Sequence, residues 1–121
     1  MVSKISANLT DVDYWAALIK KSTSRYFLLD MLAQRPMHGY EIAKSIEDCC
    51  DGWCKPTDGM IYPTLKEMVA GGYVECTSEV IGGRQRKVCH LTEKGKDAHR
   101  AAAQAWNGVL PYINVSVKKA L

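Results

Sequence analysis

Met60-Ile61-Tyr62-Pro63-Thr64-Leu65-Lys66-Glu67-Met68 carries its apolar residues at helical spacing. Ile61, Leu65, Met68 and Val69 stand at i, i+4, i+7 and i+8, the pattern of one buried helix face. Tyr62, Lys66 and Glu67 are then left towards solvent or a ligand. The spacing predicts a helix over 57–70, ended by Gly71-Gly72, residues that accept the left-handed conformation. Pro63 conflicts with it, because a proline inside a helix deletes a backbone bond and normally kinks or ends the segment. The helix is retained because Pro63 falls close to its N-terminal turn.

The next segment continues the pattern differently. Residues 73–81 and 84–91 read as two strands around Gly82-Gly83, a two-residue hairpin signal. That turn sets Val74 opposite Leu91, Cys76 opposite Cys89, Glu75 opposite His90 and Glu79 opposite Arg86. The first two pairs share one face and the last two the other, so apolar and charged faces agree on the register. Arg84, Arg86 and Lys87 follow the glycine turn with no acidic neighbour. A helix followed by a basic hairpin is the layout of a winged helix-turn-helix, which places the helix in the major groove and the wing along phosphate. Reading bases needs short polar or hydrogen-bonding side chains near the helix start, plus cations for phosphate. Thr57, Gly59, Tyr62, Thr64 and Lys66 supply them, and Arg84, Arg86 and Lys87 supply the wing. Double-stranded DNA is therefore the expected partner.

Outward from this unit, Thr10 or Asp11 caps a first helix over about 11–21, with Tyr14, Trp15, Leu18 and Ile19 on one face. Ser22-Thr23-Ser24 reads as a break or a new cap before a second helical run to about Gln34, which Pro36 stops. Met37-His38-Gly39-Tyr40 opens the next helix, over about 39–48, with Ile42 and Ile46 on one face. Residues 49–56 form a loop. Thr92 caps a final helix, interrupted by Gly108 and Pro111 and followed by a short amphipathic tail. The expected fold class is α+β, mainly helical: a winged helix-turn-helix core over about 22–92, with dimerisation helices over about 10–21 and 93–121, in a single domain spanning 1–121.

Composition is compatible with this. The chain has 121 residues, 47% hydrophobic and 24% charged, with a formal net charge of +3. It has no apolar run near the ~18 residues needed to span a bilayer. Its first eight residues lack the pattern of a signal peptide. A cytoplasmic location without membrane association is the expectation. No phosphate-binding glycine loop and no Gly-x-Ser-x-Gly is present, and no histidine lies near the loop cysteines in sequence, so an enzyme is not expected. The rival reading is a winged-helix protein-interaction module without DNA binding. The cationic hairpin argues against it, since a module freed from DNA has no need of that tip.

Four segments together resemble the PadR family of transcriptional regulators: Pro36-Met37-His38-Gly39-Tyr40-Glu41-Ile42, Gly59-Met60-Ile61-Tyr62-Pro63-Thr64-Leu65, Gly83-Arg84-Gln85-Arg86-Lys87 and Leu91-Thr92-Glu93-Lys94-Gly95. The short region after them is similar to the compact subgroup with a single C-terminal helix. The resemblance implies a winged-helix homodimer that represses its promoter and is released by an effector. It implies that the third helix continues through Pro63. It also implies Tyr40 as a phosphate contact, Tyr62, Thr64 and Lys66 as recognition-helix contacts, and Arg84, Arg86 and Lys87 as wing contacts.

Ala98, Ala101, Ala102, Ala105, Trp106, Val109 and Leu110 form an apolar stripe wider than one small domain covers from within, which assigns it to a partner subunit. Tyr14, Trp15 and Leu18 of the first helix are expected to join Ala98, Ala102, Ala105, Trp106 and Val109 in the dimer interface. Two-fold symmetry would set two recognition helices ~34 Å apart and call for an inverted-repeat operator. Because related compact members hold flat aromatic ligands between paired tryptophans, Trp15 and Trp106 are candidates for binding a small-molecule effector. Cys49, Cys50 and Cys54 are a second candidate. They lack the spacing of a zinc knuckle, but three thiols there suit a soft metal or metalloid, or a redox switch. No cofactor is certain. An odd cysteine count without an export signal argues against a disulfide framework. Cys76 and Cys89 face each other on the buried side of the hairpin; cross-strand thiols can oxidise, but two small apolar residues filling a core position is the favoured reading.

Overall fold

The computed structural model describes residues 8–121. Residues 1–7, most of the segment read above as lacking an export signal, lie outside that range. In chain order the elements are α1 (Val12–Gln34), β1 (Met37–His38), α2 (Gly39–Cys49), α3 (Asp58–Ala70), β2 (Val74–Ile81), β3 (Arg84–Leu91) and α4 (Glu93–Ala120). Helices dominate, and the three strands form one antiparallel sheet in the order β1-β3-β2. No helix among the described residues is long and apolar enough to cross a membrane.

The core is where three helices and the root of the sheet converge. Leu28, Met31 and Leu32 come from α1, Ile42 and Ile46 from α2, Ile61, Leu65 and Met68 from α3, and Val74, Cys89 and Leu91 from the hairpin. Each such side chain contributes about 1.5–3 kcal/mol of burial. Ile61, Leu65 and Met68 are buried as their spacing requires, but Val69 is 43% exposed. At i+8 from Ile61 it has rotated past the seam towards the wing.

α3 runs through Pro63. The proline removes one N–H, so the Gly59 carbonyl receives no helical bond, while the first turn is closed by Ile61 N–H donating to the Thr57 carbonyl at 3.0 Å. Its end is a Schellman motif, with Gly72 N–H donating to the Val69 carbonyl and Tyr73 N–H to the Met68 carbonyl. Gly72 takes φ +81°, the left-handed value that the motif demands.

The hairpin has the register derived from its turn, from Val74 opposite Leu91 to Ile81 opposite Arg84. Gly82 and Gly83 both have positive φ, as a type I′ turn requires.

Three sequence expectations fail for identifiable reasons, and one gains a part. The first two helices are one 23-residue helix. Ser22 and Thr23 donate to the Leu18 and Ile19 carbonyls, so their hydroxyls bond back within the helix instead of capping a new one. The helix opened by Met37-His38-Gly39-Tyr40 is present as read, from Gly39, but Met37 and His38 have a second part that the sequence did not show. They form β1, paired with Cys89 and Val88, and His38 is the N-cap. Gly108 and Pro111 do not interrupt α4, which is continuous over 28 residues. A proline removes one bond from a ladder that long, and α4 residues from Asn107 on are exposed, so no packing is disturbed there. Finally, Cys76 and Cys89 are not two separate apolar fillers: they are joined by a disulfide.

α2 begins with a capping box. The His38 ring accepts from Glu41 N–H, and the Glu41 carboxylate accepts from His38 N–H at 3.2 Å and from Arg35 at 3.0 Å. Partial burial raises the Glu41 pKa, but those hydrogen bonds and the neighbouring charges outweigh it, and the group titrates below the ordinary 4.5. A depressed carboxylate stabilises the fold above its unfolded pKa, and that contribution is lost as pH falls through the folded value. Glu41→Gln is therefore expected to lower urea stability at pH 7, with the deficit shrinking as pH drops below 4.5. A pH-independent deficit in parallel urea titrations would exclude this role. Gly95, in the first turn of α4, packs on the residue just before β2, and a Cβ built on it would sit 2.0 Å from the Tyr73 carbonyl oxygen. Backbone on backbone cannot yield cheaply, so Gly95→Ala is expected to cost about 3 kcal/mol, the upper end for overpacking. A urea midpoint unchanged from wild type would contradict that close approach.

Candidate nucleic-acid interface

Burying Ile61, Leu65 and Met68 turns the opposite side of α3 outward. Tyr62 is 52% exposed and Lys66 is also exposed, one helical turn apart. Tyr62 is held from beneath, because Gly39 at the start of α2 has no Cβ: one built there would lie 2.8 Å from the tyrosine oxygen. Glycine thus lets α2 and α3 approach and fixes the ring that faces solvent. Tyr40, in the first turn of α2, is 68% exposed beside the His38 ring. Thr57 is the N-cap of α3, yet its side chain makes no capping bond, which leaves both the hydroxyl and the first helical N–H groups available. Gly59, the second residue of the same first turn, is exposed and borders a cavity between α3 and α1.

Thr64 is placed elsewhere. It is partly buried, its hydroxyl donates to the Met60 carbonyl at 2.9 Å, and it lines a cavity between α3 and α1. The structure does not bring it to the face of Tyr62 and Lys66.

The wing cations divide between two faces. Alternation from the buried Cys89 and Leu91 puts Lys87 and Gln85 on the side facing α3. Arg84 and Arg86 lie on the other side, with Arg86 opposite Glu79 and Arg84 opposite Ile81. Lys87, Lys66 and Tyr62 instead line one cleft of about 450 Å³ between α3 and the hairpin. Ser78 pairs with Lys87 and shares its face. Among the described residues, Lys66, Arg84, Arg86 and Lys87 enter no ion pair within 4 Å. Glu67, the acidic neighbour of Lys66, is instead held by Arg25 of α1 through two hydrogen bonds of 3.0 and 2.6 Å. The Arg25 hydrogen bonds keep the Glu67 carboxylate below its ordinary range.

The two tryptophans occupy different surroundings within the chain. Trp106 lines a cavity of about 430 Å³ together with Tyr26, Arg25, Ala98 and Ala102, between α1 and α4. Tyr26 is 6.4 Å from the Trp106 ring and stacks on His99, which bonds Asp30 at 2.8 Å. Trp15 is not among the lining residues. Its ring meets Tyr14 edge-on and its indole N–H donates to the Leu9 carbonyl at 2.9 Å. Ala98, Ala102 and Trp106 are half-buried, whereas Ala105 and Val109 are exposed. Trp15, Leu18 and Ile19 on α1 and Val109, Leu110, Ile113 and Val117 on α4 are each 41–51% exposed.

The loop thiols also separate. Cys54 is 1% exposed and faces Ser24 of α1 at 3.0 Å, while the Cys49 and Cys50 sulfurs lie 3.6 Å apart at the end of α2. Burial, then the hydrogen bond and charge of Cys49, pushes the Cys50 thiol up to about 11. Among the described residues no three His, Cys, Asp or Glu side chains are grouped to hold a metal ion.

Residues 28–101 match the profile of the transcriptional regulator PadR-like family. The chain is 37% identical over 71 residues to the transcriptional regulator YqjI of Escherichia coli, a match that covers 59% of this chain and 33% of that protein. It thus spans about a third of the length of that curated relative. It is similar to the crystal structure of TA0346 from Thermoplasma acidophilum, at 31% identity and a TM-score of 0.67, covering 84% of this chain and 95% of that one. A PadR-like transcriptional regulator from Bacillus cereus superposes with a TM-score of 0.73 at 26% identity, covering 83% and 96%. The winged-helix core, the order of its elements and the matched segment agree: the chain belongs to the PadR-like family of transcriptional regulators.

Proposed function

We propose that two copies of this chain bind an inverted repeat in double-stranded DNA and repress transcription there until an effector releases them. The observation that carries this reading is the cleft in which Tyr62 and Lys66 of α3 face Lys87 of the wing, with neither ammonium group in an ion pair among the described residues. In this reading α3 enters the major groove. Tyr62 and Lys66 meet base edges, and Tyr40 with the Thr57 end of α3 receives phosphate. Lys87 and Arg84 follow the backbone, Arg86 being partly offset by Glu79. Gly59 admits close approach of the helix, and Thr64 supports it from behind.

The homodimer is supported by the apolar surface that α1 and α4 leave uncovered. Trp15, Leu18 and Ile19 on one helix and Val109, Leu110, Ile113 and Val117 on the other recur at helical spacing and are half exposed, and apolar faces left open in this way mark interfaces in soluble proteins. A second subunit would also complete the Trp106 cavity. Its aromatic lining of Tyr26 and Trp106 suits a flat apolar effector with a polar edge facing Arg25. The loop thiols support a metal or metalloid effector less well, because Cys54 is committed to the core.

Fluorescence anisotropy of a labelled fragment from upstream of the gene, titrated across salt, tests the reading. Saturable binding that weakens with salt is expected. Changing Arg84, Arg86 and Lys87 together to Ala is expected to weaken operator and random duplex alike, reducing the salt slope by about one for each phosphate no longer neutralised. Tyr62→Ala or Lys66→Ala should instead hurt the operator more, by about 1–3 kcal/mol where the side chain reads a base. Equal losses on both DNAs for the α3 variants would remove α3 as the reading element.

A further inference from the structure

We infer that the Cys76–Cys89 pair is a reversible thiol–disulfide site that sets how firmly the wing is held against the recognition helix. The inference rests on the DNA-binding reading for its consequence, but not for the chemistry.

Position comes first. In a two-residue hairpin the residues flanking the turn, Ile81 and Arg84, exchange both backbone hydrogen bonds, and pairs alternate from there. Cys76 and Cys89 fall by this count on a non-hydrogen-bonded pair, where facing side chains come closest. Cys89 is also the residue that β1 uses: Met37 pairs with it on the other side. The bond therefore ties edge strand β2 to the central strand at the root of the wing. Beyond it, most residues from Thr77 to Lys87 are exposed, so little besides the β2–β3 ladder holds the tip.

Access comes second. Cys89 is 2% exposed, but Cys76 is only half-buried, and both line the cleft that holds Tyr62, Lys66 and Lys87. A small thiolate entering that cleft meets two ammonium groups that favour its charge and that of the leaving sulfur. Attack on the Cys76 sulfur forms a mixed disulfide and expels Cys89 as a thiolate, which takes up a proton. The second thiol of a dithiol reductant then displaces Cys76, which is protonated in turn. The reductant leaves as a cyclic disulfide, having supplied two electrons and two protons. A cyclic disulfide oxidant runs the same steps backwards.

Consequence comes third. Breaking the bond pushes two sulfurs apart to van der Waals contact. Cys89 is enclosed by the core, so Cys76 must move, towards the cleft. That shifts β2 and loosens the face carrying Lys87 relative to Lys66. The oxidised form is the one with the wing fixed for phosphate contact.

The test uses the whole protein and a labelled random-sequence duplex at low salt, because wing contacts to phosphate need no operator. Protein is equilibrated in reduced or oxidised dithiothreitol. It is then denatured and alkylated for mass spectrometry, and a parallel sample is titrated with DNA. Oxidised protein is expected to keep two of its five thiols from alkylation, at Cys76 and Cys89. It should also bind more tightly than reduced protein, with a salt slope larger by about one. The Cys76→Ala/Cys89→Ala variant should bind like reduced protein in both buffers, and Cys76→Ser serves if the double variant does not fold. Five alkylated thiols in the oxidising buffer would refute the site. Protection at Cys76 and Cys89 with identical DNA binding in the two buffers would refute the coupling. Protection with no binding of any duplex by either form would instead overturn the DNA-binding reading on which the coupling rests.

Discussion

The seating of α3 on the other two helices is the constraint from which the rest follows. Ile61, Leu65 and Met68 are buried against a core built by Leu28 and Leu32 of α1 and Ile42 and Ile46 of α2. A helix has only one face at that spacing, so burying those three residues dictates what faces out. Tyr62 and Lys66 project because Ile61 and Leu65 do not. Thr64 points back towards α1 for the same reason. The Arg25–Glu67 pair then adds a polar tie from α1 to the same helix, and it removes the one acidic side chain that would otherwise stand free beside Lys66. Both partners are half exposed or more, so its stabilising effect is modest and its electrostatic effect on the outward face is the larger one.

What the sequence reveals here depends on whether a feature is written in a period. Helix α3 and the hairpin are legible because apolar residues recur at helical and then at alternate spacing, and because Gly82-Gly83 fixes a register that every later pair must obey. The four motifs that resemble the PadR family are local too, and the family profile covers that same stretch. What was not legible needs partners from afar. Ser22 and Thr23 carry side chains that cap a helix or bond back within one, and only the surroundings of Ser24, buried against Cys54, decide between them. Met37-His38 does open α2, but its pairing as an edge strand depends on Cys89 and Val88, which arrive from the other end of the domain. The cysteine loop misleads by proximity in sequence: thiols that close along the chain are turned to the core in one case and to solvent in another.

The wing illustrates a finer limit. Arg84, Arg86 and Lys87 form one basic cluster in sequence, yet strand alternation sends them to opposite faces, and of the three Lys87 alone lines the cleft beside α3. The same alternation brings Cys76 and Cys89 into that cleft. A charge count along the chain does not contain this distinction, whereas the pleat does. Similarly, α4 reads as broken because Gly108 and Pro111 disfavour helix. The structure keeps one long helix whose outer half, together with the first turns of α1, carries its apolar residues uncovered.

In the proposed reading, one buried stripe orients the face that reads DNA and the uncovered apolar stripe is taken up by a second copy. Hydroxyl-radical footprinting of the DNA upstream of the gene, with the wild-type protein at low salt, tests both at once. The account predicts two protected half-sites of inverted sequence with centres about one helical turn apart, ~34 Å. A single unrepeated footprint, or protection spread evenly along the fragment, would contradict it.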